Sequence, residues 1–350
     1  MIPYLLSWAL VALNALGGAR RWGQGTIIAL LVCLTLFIGL RDQVGGDWMS
    51  YLPAVEQEAG EPFAEIFQQD ETGYVLLNWF GANWGGGVFL VNTVCGLIFT
   101  LGLVQFCRAQ PRPWLALTIA FPYLVIVVAM GYTRQSVAIG LECLALLALE
   151  RDRLLWFLGW IALAATFHKT VLVLLLLSAF TLNSNLRFGQ VLRLGMLAAA
   201  GYGLYSSLLA SSLESFQSGY LDAEYESQGA LIRVVLCLLP ALSFLLARSR
   251  FGLTPQAMRI WTLLSFAAVL AAIGLATIAS STAVDRIALY LIPLQLFVGS
   301  RLPATCLLGI SPGIWNQLLV SLSLAVLLVW LLFAGHSYAW LPYRNLLLPF

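Results

Sequence analysis

Apolar runs of about twenty residues recur from one end of the chain to the other, each about long enough to cross a hydrocarbon core of roughly 30 Å as a helix. Inside lipid every backbone N–H and C=O needs a partner within the protein, and the alternating pattern of barrel strands is absent. The runs are therefore predicted to be helices. Composition agrees: 61% of the 350 residues are hydrophobic and 10% are charged, where a soluble domain carries roughly a quarter charged. The predicted fold class is all-α, a polytopic integral membrane protein built as a single transmembrane domain over 1–350.

Twelve spans are expected, at 2–18, 25–40, 86–106, 114–130, 132–149, 154–167, 169–182, 190–210, 229–247, 257–279, 286–300 and 313–334. The first run has no basic stretch ahead of it, unlike a cleaved signal peptide, and is read as a retained span. The stretch 154–182 fits either one long helix or two short ones. Two crossings keep Arg151 and Arg153 on the same side as Arg187 and Arg193, and they place the junction Phe167-His168-Lys169 below the membrane surface. Cys33, Cys95, Cys107, Cys143, Cys237 and Cys306 lie mostly in or beside apolar runs without Cys-x-x-Cys spacing, so small core residues are expected, with no disulfide and no metal.

Sorting the 18 basic residues by loop puts twelve on one side and six on the other, with 13 of the 16 acids on the basic-poor side. Basic loops mark the cytoplasm, so both termini are expected outside. The longest external segments are then 41–85, which contains an amphipathic interfacial stretch at 72–84, and a second loop at 211–228.

Ionisable groups near spans are costly in lipid and are functional candidates by default. Arg41 opens Arg41-Asp42-Gln43-Val44-Gly45-Gly46-Asp47, whose paired glycines allow a turn that returns Asp47 towards the arginine; snorkelling at a helix end is the alternative. Arg134, beside Gln135, opposes the positive-inside trend, unless it only anchors a helix end. His168, beside the chain's single lysine Lys169, is suited to moving a proton near neutral pH, with a satisfied structural histidine as the alternative. Asp285-Arg286 opens the eleventh span and could also neutralise itself. Glu71, Tyr51, Tyr74, Tyr290, and Tyr220 and Tyr225 with the acids beside them complete the set. Arginine presents a rigid donor fork that matches phosphate oxygens, while acids and aromatic faces suit a sugar. The combination points to a lipid-pyrophosphate-linked glycan. Neither a cofactor nor a nucleic-acid partner is expected.

The chain resembles the EpsG-type, Wzy-like polysaccharide polymerases. The resembling pieces are Gly39-Leu40-Arg41 with Val44-Gly45-Gly46-Asp47 and Tyr51, Glu71 with Gly73-Tyr74, Thr133-Arg134-Gln135 with Ala138, Phe167-His168-Lys169-Thr170, and Asp285-Arg286 with Tyr290 and Pro293. They run in the family's order, with Gly46 where the family usually has Thr or Ser, and Lys169 where Ser is common. The resemblance implies a GT-C-like, inverting membrane glycosyltransferase that joins undecaprenyl-pyrophosphate-linked repeat units at the outer face of a bacterial inner membrane. It also implies a chain-length regulator and a flippase of the same pathway as further partners. His168 is then the first choice of base, and Glu71 or Asp47 the second. Arg41, Arg134 and Arg286 would hold the pyrophosphate, whose developing charge arginines can stabilise without a metal. The rival readings are an O-antigen ligase, distinguished by its acceptor, a transporter or flippase, which predicts charges at mid-membrane where Glu142 is the sole acid, and a membrane O-acyltransferase.

Overall fold

The computed structural model describes residues 1–18, 21–181, 187–217, 228–277 and 281–347, and gives side-chain detail outside 182–188, 206–228 and 278–283. Tyr220 and Tyr225 lie outside the described residues. Among the described residues the regular structure is helical, and the one β-type pairing is an isolated bridge between Arg41 and Asn345.

Among the described residues, six helices are long and apolar enough to cross a membrane: Gly87–Arg108, Pro113–Gly131, Gly229–Phe251, Pro255–Thr277, Val284–Thr305 and Pro312–Phe333. Shorter apolar helices cover Ile2–Leu16, Gln24–Gly39, Leu154–Ala165 and Lys169–Thr181. Their surfaces are inverted relative to a soluble protein. In Pro312–Phe333 only 22% of the most apolar window is buried inside the protein, and Leu6, Leu10, Leu13, Leu155 and Leu246 are all more than half exposed, while Arg41, Asn92, Thr100 and Glu142 are fully buried. Apolar surface on that scale is stable only against lipid, so the chain is a multi-pass membrane protein.

The described residues of the expected spans are mostly helical, but six helices, not twelve, are long and apolar enough to cross a membrane among the described residues. The polar helix Thr133–Glu150 carries Arg134, Glu142 and Glu150, and Arg187–Gln217 continues into the stretch expected as the second external loop. The 154–182 stretch is broken in two: Leu154–Ala165 stops, residues 166–168 turn, and a 3₁₀ segment Lys169–Leu174 leads into Leu175–Thr181. The amphipathic stretch at 72–84 is the helix Thr72–Trp84.

The chain gathers into two compact units. The first comprises 1–144, 166–168 and 299–350; the second comprises 145–165 and 169–298. In the first, Gln24–Gly39 packs along Gly87–Arg108, and helix Thr133–Glu150 crosses Gly87–Arg108 where Gly102 meets Gly140. A Cβ on Gly102 would lie 1.8 Å from the Gly140 carbonyl oxygen, so only glycine permits that approach, as in small-residue contacts between membrane helices. Pro113–Gly131 passes through a π-helical stretch, Phe121–Val128, entered at Pro122. Proline lacks the donor for a regular bond and so accommodates the wider turn. In the second unit Gln228–Ala247 packs on Pro255–Thr277, and the ring of Trp261 stacks on Phe297 at 3.7 Å.

Candidate functional site

Helix Gln24–Gly39 ends where the chain turns at Leu40, and Arg41 follows directly into the protein interior with 0% exposure. A buried guanidinium must spend its five donors on internal acceptors. Here Nη1 donates to the Ile38 carbonyl at 2.7 Å, Nε to the Val44 carbonyl at 3.1 Å, and Nη2 to Thr133 Oγ1 at 2.8 Å and Asn92 Oδ1 at 3.2 Å. The Trp48 ring lies 5.8 Å from the guanidinium carbon. Arg41 thus ties helix Gln24–Gly39, its following loop, helix Gly87–Arg108 and the Thr133 turn into one knot. Its guanidinium has no surface on which a ligand could sit in this structure.

The loop returns on itself at Gly45, whose φ of +110° belongs to glycine, and helix Trp48–Glu56 begins after Asp47. Tyr51, 4% exposed, has its hydroxyl 3.3 Å from Asp47 Oδ2 and accepts the Thr133 N–H at 2.9 Å. Burial, with the Asp47 carboxylate adding to it, raises the phenol above its ordinary range and keeps it protonated. Asp47, Tyr51 and Thr133 are therefore brought together, with Gln135 buried one turn-step away on the same helix.

Arg134 has the opposite environment to Arg41. Its side chain is 49% exposed, its Nη1 donates to Glu71 Oε2 at 2.6 Å, and its guanidinium lies 5.6 Å from the centre of the Tyr74 ring. Glu71 stands at the N-cap of Thr72–Trp84 with φ +54° and ψ +46°, a left-handed conformation that costs a non-glycine residue of order 1 kcal/mol or more and is typical of functional sites. Two residues on, the Gly73 amide donates to the Thr166 carbonyl at 2.9 Å. A Cβ on Gly73 would lie 2.3 Å from Thr166 Oγ1 and 3.1 Å from the Phe167 ring. That contact docks the turn carrying half-buried His168 against the turn carrying Glu71. Glu71, Tyr74, Arg134 and the His168 turn thus belong to one face of the first unit.

Asp285, Arg286 and Tyr290 belong to the second unit. Asp285 pairs with Arg233 of helix Gln228–Ala247 through both Nε and Nη2, a bidentate ion pair with side chains 10% and 15% exposed. The adjacent Asp285-Arg286 neutralisation left open by the sequence is thus not the pairing that forms at Asp285's two oxygens. Arg286 is half-buried and Tyr290 is buried.

Sequence reasoning missed Asn92, Arg233 and Trp340. The first two carried a signal, since an amide or arginine inside an apolar run needs a partner. Trp340, far from every motif, carried none.

Among the described residues the architecture is that of a polytopic helical membrane protein with a buried arginine knot at Thr133 and, at the adjacent Arg134, a half-exposed arginine paired with Glu71. The sequence profile of the EpsG family matches residues 26–345, and the chain belongs to that family. The resemblance read from the short motifs is thereby borne out. No curated protein and no solved structure matches the chain.

Proposed function

We propose that the chain is a membrane glycosyltransferase that polymerises undecaprenyl-pyrophosphate-linked repeat units into a polysaccharide at the outer face of a bacterial inner membrane, in a twelve-span, GT-C-like arrangement with both termini outside. Family membership supports a role in polysaccharide biosynthesis. The observation that carries the reading to a site is the docking of the Glu71–Arg134 pair against the turn holding His168 through Gly73 and Thr166.

An acceptor hydroxyl attacks the anomeric carbon of the donor as the bond to the pyrophosphate oxygen breaks, inverting the configuration. The hydroxyl proton passes to His168, with Glu71 or Asp47 as the other candidate bases. Negative charge develops on the departing lipid pyrophosphate, and exposed Arg134 offers it a fork of donors. Buried Tyr74, its ring 5.6 Å from the Arg134 guanidinium, and buried Tyr51 support this face from within. Buried Arg41 positions this machinery and does not touch the pyrophosphate. Arg286 is a separate candidate on the second unit, held by a helix that the Arg233–Asp285 pair fixes.

Purified protein reconstituted in liposomes with a lipid-pyrophosphate oligosaccharide should give a ladder of lengthening glycans and release undecaprenyl pyrophosphate. Absence of a ladder with transfer to a lipid-anchored core oligosaccharide would replace polymerase by ligase. Absence of both, with passage of the lipid-linked glycan across the bilayer, would indicate a transporter.

A further inference from the structure

The segment 337–346 makes a series of specific bonds to the chain around the motif residues 40–47 and 131–134. The Trp340 indole N–H donates to the Ile126 carbonyl at 2.9 Å, within the π-helical stretch Phe121–Val128. Its ring is 1% exposed and fills the space beside Gly131, where a Cβ would lie 2.4 Å from Trp340 Cζ2, and it reaches to 3.6 Å of a Cβ on Gly46. Its carbonyl accepts from the Tyr4 hydroxyl at 2.9 Å. On one side of it the Gly45 amide donates to the Ala339 carbonyl at 2.8 Å. On the other, Arg344 and Leu346 exchange backbone bonds with Asp42 and Leu40 at 3.1 and 2.9 Å. Tyr343 donates to the Phe37 carbonyl and Asn345 to the Leu36 carbonyl, at 2.7 and 3.1 Å.

The contacts of the Trp340 ring, Ala339, Arg344 and Leu346 fall on two short backbone pieces, the loop from Leu40 to Asp47 and the turn from Met130 to Arg134, while the others anchor the segment to Tyr4, helix Gln24–Gly39 and Ile126. Both pieces carry motif residues: the first is a loop between helices, and the second breaks helical structure at Tyr132, between Gly131 and Thr133. A Cβ on Gly45 would lie 2.0 Å from the Met130 carbonyl oxygen, so the two pieces also bear on each other. We propose that Trp340 is a positioning residue for the site: its ring, anchored through the indole N–H to Ile126, packs against Gly131 and beside Gly46 and so fixes the loop and the turn together, setting where Arg134, Tyr51 and Asp47 stand. It touches no reacting group itself. The inference rests on the polymerase reading for its catalytic consequence, and on the structure alone for its effect on the two backbone pieces.

The test uses the full-length protein with Trp340→Leu, Trp340→Phe, Gly131→Ala and the double variant Gly131→Ala with Trp340→Leu, each followed by polymer synthesis and by hydrogen exchange. Trp340→Leu should lower kcat about 10²-fold, the scale set by a misplacement of about 1 Å, with donor KM little changed. Amide protection should fall at Gly45 and at 131–134 while helix Gly87–Arg108 stays protected. Trp340→Phe, keeping a ring without the N–H, should fall between Trp340→Leu and wild type. Gly131→Ala should be impaired by its clash with Cζ2, and the double variant should regain activity over Gly131→Ala because the clashing atoms are gone. A Trp340→Leu protein with normal kcat and normal protection at Gly45, or a double variant no better than Gly131→Ala, overturns the proposal. If wild type makes no polymer yet Trp340→Leu loosens both pieces, the positioning stands and the polymerase reading alone fails.

Discussion

The amide of Gly73 donates to the carbonyl oxygen of Thr166 at 2.9 Å, and this one bond joins two motifs that stand 93 positions apart in numbering, Gly73 to Thr166. Gly73→Ala places a methyl 2.3 Å from Thr166 Oγ1, so the His168 turn must move away. Transfer should fall at least about tenfold, since small displacements at a reacting centre are costly. Adding Thr166→Gly, which removes both Oγ1 and Cβ, should recover part of the loss in the same polymer assay.

His168→Ala should reduce transfer about 10²-fold or more, the usual consequence of losing a general base, with lipid-linked single repeats accumulating. His336 is exposed and outside the site, so His336→Ala should match wild type. Normal polymerisation by purified His168→Ala protein would make the histidine structural and move the test to Glu71 and Asp47.

The Glu71–Arg134 pair is half exposed on the arginine side, so its contribution to stability is small, about 0–1 kcal/mol. Arg134→Lys and Glu71→Gln should therefore keep expression and melting temperature near wild type while abolishing most polymer. The lysine variant retains charge but loses the fork. Loss of folded protein in both, measured by fluorescence-detected gel filtration, would show that the pair is a structural clamp instead.

Arg41 should behave oppositely. Arg41→Ala removes the side-chain donor from the Ile38 and Val44 carbonyls and leaves Asn92 Oδ1 and Thr133 Oγ1 with their mutual 3.4 Å contact; a buried acceptor left without a partner costs about 1–3 kcal/mol. The variant should be depleted in the membrane and melt early in detergent. A stably folded Arg41→Ala protein with an altered donor KM would return Arg41 to the binding site.

Within the second unit, Arg233→Asp or Asp285→Arg alone leaves two like charges facing each other in a largely buried place and should depress both folding and activity. The double swap should restore folded protein relative to either single change, because the pair survives with its polarity reversed. Equal loss in all three would mean that the pair's orientation, and not its charge balance, is what the unit requires.

The sequence determined the membrane class and the helical character of its apolar runs, because these are local properties that lipid enforces, but not how many of them are long enough to cross, six among the described residues where twelve are expected. It also determined the family, through motifs whose spacing survives in linear order. What it could not distinguish was Arg41 from Arg134, two arginines at span ends with similar flanks. Burial is decided by acceptors that arrive from elsewhere: Asn92 and Thr133 fold over Arg41, whereas Arg134 pairs with Glu71 and stays half exposed. Likewise Asp285 makes its bidentate hydrogen-bonded pair with Arg233, 52 residues away, while its neighbour Arg286 acts on it through its charge. Successive helical residues point about 100° apart, so they do not face each other, and a partner on a packed neighbouring helix can. Trp340 shows the same limit: a tryptophan's sequence neighbours say nothing of which distant glycine leaves room for its ring, and only the packing of Gly131 against it decided that role.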